Sequence, residues 1–193
     1  MGEPALHTKV SEQEYLAFER AAEERHEYAD GEIFAMSGGT WEHSLIASNI
    51  NGELRSALLE RRCAVHGSDM RIHIPSTGRY TYADVLVVCG KPVLTDEVRD
   101  TVVNPVVIVE VLSDSTERCD RGDKFEQYQT IDSLRDYVLV SQKKARIEHF
   151  CRQANGAWLL QVRGPGDRLV LTSVGCEVAV DMAYLKVFGE AAG

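Results

Sequence analysis

Asp84, Glu110 and Lys124 stand where metal-assisted attack on a phosphodiester would need them. Asp84 interrupts the apolar run Tyr82-Ala83-Asp84-Val85-Leu86-Val87-Val88, and Glu110 interrupts Val106-Val107-Ile108-Val109-Glu110-Val111-Leu112. Short runs rich in β-branched residues read as buried strands. A carboxylate in such a strand is expensive to bury unless a cation or a hydrogen-bond donor compensates it. Side chains alternate along a strand, so Glu110 shares a face with Ile108 and Leu112, and Asp84 with Tyr82 and Leu86. If the two strands are neighbours, the carboxylates face one cleft and can share a hard, oxygen-seeking cation such as Mg²⁺. On the next helix Asp120, Lys124, Gln127 and Tyr128 form one stripe, so Lys124 can reach the end of the Glu110 strand. A purely structural reading stands beside this one. In it, Asp84 ends a strand at an exposed rim and Glu110 pairs with a buried Lys or Arg. Lys124 taken alone reads as a solvated helix lysine.

The elements that must position these residues follow from local signals. Ser11-Glu12-Gln13-Glu14 has the form of a capping box and predicts a helix to about Glu24. Asp30-Gly31 marks a two-residue hairpin, because both central positions of that turn take positive φ. Leu45, Ile46, Asn49, Ile50, Leu54, Ala57 and Leu58 recur at helical spacing and predict a long helix from Thr40 to Glu60. Strands are expected near Cys63–Val65 and Met70–Ile74, then the Asp84 and Glu110 strands, then a helix from about Glu117 to Thr130. Tyr137–Ser141, Arg146–Arg152, Trp158–Arg163 and Leu169–Leu171 read as further strands, and 183–188 as a short helix. The expected class is α/β (α+β): a mixed, mostly antiparallel sheet with helices packed on it, in a single domain over 1–193 with its core at about 10–188.

Composition narrows the function. The 193 residues are 44% hydrophobic, enough for a substantial core, and carry a formal charge of −9. That charge argues against a protein that coats nucleic acid nonspecifically, since such binding rests on Lys and Arg. Arg55, Arg61, Arg62, Arg71, Arg79, Arg118 and Arg121 read as scattered solvated charges rather than one basic patch. The five cysteines lack any Cys-x-x-Cys pair, so neither a zinc ribbon nor a disulfide framework is expected, and Cys63, Cys89 and Cys151 read as small core residues. His66 and His73 lack a Cys or third His at zinc spacing and read as surface strand residues. No signal peptide or membrane-length apolar run occurs, so the expected setting is a reducing cytoplasm.

From about Val10 to Phe188 the chain resembles the Uma-two family of putative restriction endonucleases, within the PD-(D/E)XK nuclease superfamily. The resemblance rests on Glu27-Tyr28-Ala29-Asp30-Gly31-Glu32-Ile33, on Glu42-His43 opening the long helix, and on Ala83-Asp84-Val85. It continues through Glu110-Val111-Leu112-Ser113-Asp114-Ser115-Thr116, Asp120, Lys124, Tyr128 and Asp136-Tyr137. It implies a restriction-endonuclease-like fold in which Asp84 and Glu110 bind the metal and a lysine assists the attacking water. The usual lysine position, two residues after the glutamate, is Leu112 here, and the resemblance assigns the amine to Lys124 on the next helix. Ala83 replaces the usual proline before the aspartate, and Val138 and Ser141 replace a later aromatic and acid. Glu27 and His43 match positions that line the cleft: Glu27 as an additional acidic ligand, His43 as a contact to phosphate or to a water beyond the metal's own ligands. For His43 a helix-start histidine bonded to backbone is the equal alternative.

These readings converge on a Mg²⁺-dependent endonuclease (Mn²⁺ able to substitute) that hydrolyses DNA by metal-activated water. It would work as a homodimer, without membrane attachment. The alternatives are a non-catalytic DNA-associated or regulatory module that keeps the fold, and a nuclease acting on RNA or single-stranded DNA.

Overall fold

The computed structural model describes residues 9–36 and 38–188. The chain opens with α1 (Glu12–Ala21), β1 (His26–Ala29), β2 (Glu32–Ala35), α2 (Trp41–Ala57), β3 (Cys63–Gly67), β4 (Arg71–Ile74), β5 (Arg79–Tyr82) and β6 (Val85–Cys89). It continues with β7 (Thr101–Val102), β8 (Val107–Leu112), α3 (Glu117–Arg121), α4 (Asp123–Tyr128), β9 (Asp136–Ser141) and β10 (Ile147–Arg152). It closes with β11 (Trp158–Arg163), β12 (Arg168–Leu171), β13 (Cys176–Ala179) and α5 (Val180–Ala183).

Local chemistry explains the boundaries that position the site. Ser11 caps α1 reciprocally with Glu14. At the hairpin between β1 and β2, Asp30 (φ 53°) and Gly31 (φ 83°) both take the left-handed conformation the turn demands. A Cβ on Gly31 would lie 2.6 Å from that of Lys9. The Thr40 hydroxyl accepts from the His43 N–H at 3.2 Å and starts α2, whose buried stripe is Ile46, Ile50 and Leu54.

Among the described residues, three sheets result. The central one is six-stranded, in the order β11-β10-β9-β8-β6-β3, and is antiparallel except where β8 and β9 run parallel. A five-stranded sheet, β2-β1-β5-β4-β7, and a β12–β13 hairpin complete the mixed α+β fold. Alternation along the central strands divides the interior. Val107, Val109, Val111, Val138 and Val140 pack with α2 and the β12–β13 hairpin. Leu86, Ile108, Leu112, Tyr137 and Leu139 pack on the opposite face with Tyr128 of α4 and with Ile72 and Ile74 of the five-stranded sheet. Glu110, in phase with Ile108 and Leu112, therefore faces the second layer.

Several expectations change. The apolar run around Asp84 is not one strand: β5 ends at Tyr82 in one sheet and β6 begins at Val85 in another, with Asp84 at the crossing. The helix expected from Glu117 to Thr130 is broken at Gly122 (φ −116°, ψ −105°) into α3 and α4. The last helix lies at Val180–Ala183 instead of 183–188. Cys63 and Cys89 are not core thiols but a disulfide, because they stand directly opposite each other across β3 and β6. Arg71 and Arg79 are not solvated: both are buried, pairing with Asp100 and Glu27. No helix among the described residues is long and apolar enough to cross a membrane.

The α2 stripe carries the first layer. Leu54, fully buried, and Leu59, 81% exposed, are an internal comparison on one segment. Leu54→Ala is expected to destabilise by about 2–5 kcal/mol, and Leu59→Ala to stay within about 0.5 kcal/mol of wild type. Urea unfolding of the two variants checks both.

Candidate active site

Asp84 and Glu110 meet because of strand register. Val85 pairs with Val109 across β6 and β8, and one step further sets Asp84 against Glu110. The backbone N–H of Val111 donates to Asp84 Oδ2 at 2.7 Å, fixing the acid beside the β8 strand that carries Glu110. His43, in the first turn of α2, places Nε2 3.3 Å from the same oxygen. The hydrogen bond with Asp84 raises the imidazole above its ordinary value, against the opposing effect of burial. The His43 backbone N–H is capped by Thr40 and its ring faces Asp84.

Lys124 is the correction. It is only 6% exposed, and its Nζ lies 3.0 Å from Glu27 Oε1, 3.1 Å from Glu110 Oε1 and 3.6 Å from Asp120 Oδ1. The stripe that carries Asp120, Lys124 and Tyr128 survives the break at Gly122, so a lysine that reads as solvated is clamped among three acids. Burial alone would lower its pKa, but Glu110, Tyr128, Glu27 and Asp120 outweigh it and hold the amine protonated. The Tyr128 hydroxyl donates to Glu110 Oε1 at 3.0 Å. Glu27 accepts from Thr81 at 2.5 Å and from Arg79 at 3.0 Å. Burial opposes its charge, yet Lys124, Thr81 and Arg79 together pull it down to about 2. Glu110 goes the other way. Its burial, which Lys124 offsets only partly, combines with Asp120 and Asp84 to push the carboxyl up to about 8.

All five expected residues, with Asp120, line one cavity of about 520 Å³. A second groove of about 890 Å³ shares His43 and Asp84 and runs along the small polar face of α2. The donors in the cavity are carboxylate oxygens, the set a hard divalent cation takes. Glu110 resists ionisation without a further positive charge nearby, so these residues fit such an ion. Sequence reasoning placed Asp120 and Tyr128 on the right stripe but assigned them no part in the site. Arg79, which reads from the sequence as a solvated charge, and Thr81, which has no sequence signal, reach Glu27 only through the β1–β5 pairing, which no local pattern announces.

The fold is nuclease-like. The crystal structure of "a putative nuclease belonging to DUF820" from Anabaena variabilis superposes with a TM-score of 0.75 at 14% identity, covering 93% of this chain and 99% of that one. The chain belongs to the Uma2 family, described as "Putative restriction endonuclease", whose pattern it matches over residues 12–183. It is similar to two uncharacterized proteins of Synechocystis sp. One, slr1290, is 39% identical over 91% of this chain and 92% of its own length. The other, sll1609, is 36% identical over 76% and 83%.

The raised Glu110 links stability to pH. Between its ordinary value of 4.5 and about 8 the folded chain holds a proton that the unfolded chain has lost. Glu110 therefore favours folding at acid pH, and that contribution disappears as pH rises through about 8. Glu110→Gln cannot ionise. Thermal unfolding across this range is expected to show the variant gaining on wild type as pH rises, with a constant difference above about pH 8.

Proposed function

We propose that this chain is a Mg²⁺-dependent endonuclease that hydrolyses DNA phosphodiester bonds by direct attack of water, with Mn²⁺ able to substitute. The observation that carries the reading is that Asp84 and the buried Glu110 line one cavity that also presents the Lys124 amine. Asp84 and Glu110 would hold the ion. When bound, Mg²⁺ supplies charge neutralisation at the phosphate and acidifies water.

The chain's own residues do the rest. Val111 N–H and His43 fix Asp84 through one oxygen, and the other has no hydrogen bond among the described residues. Tyr128 and Lys124 hold Glu110 Oε1. Glu27, itself tied to Arg79 and Thr81, fixes the amine of Lys124 rather than serving as a metal ligand. The ammonium is positioned to orient the attacking water and to donate to charge developing on the phosphate. With a net charge of −9, substrate affinity rests on this centre more than on a basic surface. Cutting a duplex on both strands needs two such centres, which favours a homodimer. The exposed end of α2, where Trp41 is 74% exposed, is available for its interface. We place the chain in the cytoplasm with its DNA substrate, a setting whose reducing poise opposes the Cys63–Cys89 disulfide.

Plasmid, single-stranded DNA and RNA, each with Mg²⁺ and with chelator, test the substrate. Cleavage is expected for DNA, only with metal, and hundredfold or more slower in Lys124→Ala. Because three acids would lose their cation, the same change is expected to cost about 3–5 kcal/mol. Lys124→Gln, which keeps hydrogen-bonding capacity, separates the two effects. A folded Lys124→Gln protein that cuts at the wild-type rate makes the amine a structural counter-ion only. No cleavage of any substrate with any divalent metal returns the chain to a non-catalytic role.

A further inference from the structure

On the face of the central sheet opposite Glu110 lies a second cluster with different chemistry. Cys151 of β10 stands directly opposite Asp136 of β9, and His149, two residues earlier, stands opposite Val138. Period-two alternation puts all three on the side where Val138, Val140 and Ile147 pack. One donor atom from each of Asp136, His149 and Cys151 lies within 4.8 Å of the other two. Asp136 is fully buried and His149 is 2% exposed. Asp136 Oδ1 is 2.6 Å from His149 Nε2, and its second oxygen accepts from the Ser173 hydroxyl. Ser173 sits in the turn joining β12 to β13 and is exposed, while Cys151 is half-buried. Solvent therefore has a route to the cluster.

We propose that Asp136, His149 and Cys151 form a binding site for a borderline transition-metal ion of the zinc class, separate from the nuclease cavity. The donor set carries the choice of ion. One thiolate, one imidazole and one carboxylate match zinc, whereas a Mg²⁺ site is built from oxygens. A buried Asp–His pair already bonded to Ser173 needs no thiol to be satisfied. The soft donor directly across from the acid, and on the same face as the imidazole, is what a three-ligand tripod requires.

The geometry is close. Tetrahedral zinc with bonds of about 2.0–2.3 Å spaces its donors about 3.3–3.8 Å apart. The Asp136–His149 contact of 2.6 Å must open by about 0.7 Å, and the spacings to the Cys151 sulfur, none above 4.8 Å, must close by at most about 1.5 Å, within reach of side-chain rotation. Binding at Nε2 shifts the imidazole proton to Nδ1, and the Cys151 thiol releases its proton. The Ser173 hydroxyl, already bonded to the second oxygen of Asp136, or a water would supply a fourth ligand. An ion here would tie β9 and β10 to the β12–β13 turn and stiffen the sheet edge, away from the chemistry at Glu110.

Cobalt reports on this directly, because a thiolate ligand gives a charge-transfer band that oxygen ligands do not. The protein is dialysed against chelator without reductant, so that Cys63 and Cys89 stay paired, and carries Glu110→Gln to silence the nuclease cavity. Titration with Co²⁺ is expected to raise the band to saturation at one equivalent, with displacement by Zn²⁺. The band should vanish in Cys151→Ser and persist in Cys119→Ser and Cys176→Ser. Zn²⁺ should also raise the melting temperature of the parent but not of Cys151→Ser. No band, or one unchanged by Cys151→Ser, overturns the proposal. His149→Gln is expected to lose the band as well; if it does not fold, the conservative change at the half-buried Cys151 still decides.

Discussion

Burying the carboxyl of Glu110 is the constraint from which the rest of the site follows. Removing a carboxylate from water is far more expensive than any single surface interaction returns, so the group must be protonated, paired or bound to a cation. Here it is placed on a central strand and 4% exposed. One amine and one phenol reach the same oxygen, and two further acids stand nearby. The pairing is incomplete, and the carboxyl holds its proton to about 8. On the proposed function, this is the proton that a bound metal ion would displace.

The architecture can be read as the means of holding this imbalance. The junction between the two large sheets falls at Ala83-Asp84, so Asp84 escapes the strand ladder and can turn its carboxylate to the Val111 N–H. Gly122 breaks the helix after β8 without disturbing the stripe of Asp120, Lys124 and Tyr128. The hairpin at Asp30-Gly31 brings Glu27 to the amine from the far side, and Arg79 and Thr81 on β5 anchor it there. With Glu110 ionised, four acids would face two buried cations, an imbalance that the proposed divalent ion would offset.

Much of this was legible before any coordinates. Single acids at Asp84 and Glu110 inside β-branched runs, the Asp-Gly turn and the helical stripe with Lys124 are local patterns, and local patterns survive into the fold. What was not legible is non-local. The division of the Asp84 run between two sheets depends on which strands pair, and periodicity does not report pairing. The burial of Lys124 depends on Glu27 arriving from nearly a hundred residues earlier in the chain. Cys63 and Cys89 look like two core thiols until register sets them face to face. His149-x-Cys151 was overlooked because its third member lies on the neighbouring strand.

The most direct measurement is anomalous diffraction from a crystal soaked in Mn²⁺ at alkaline pH, where Glu110 is ionised. A manganese peak bridging Asp84 and Glu110, with Lys124 retained at the edge of the coordination sphere, is the expected result. A cavity that stays without a peak at saturating Mn²⁺, with Glu110 still bonded to Tyr128 and Lys124, contradicts it.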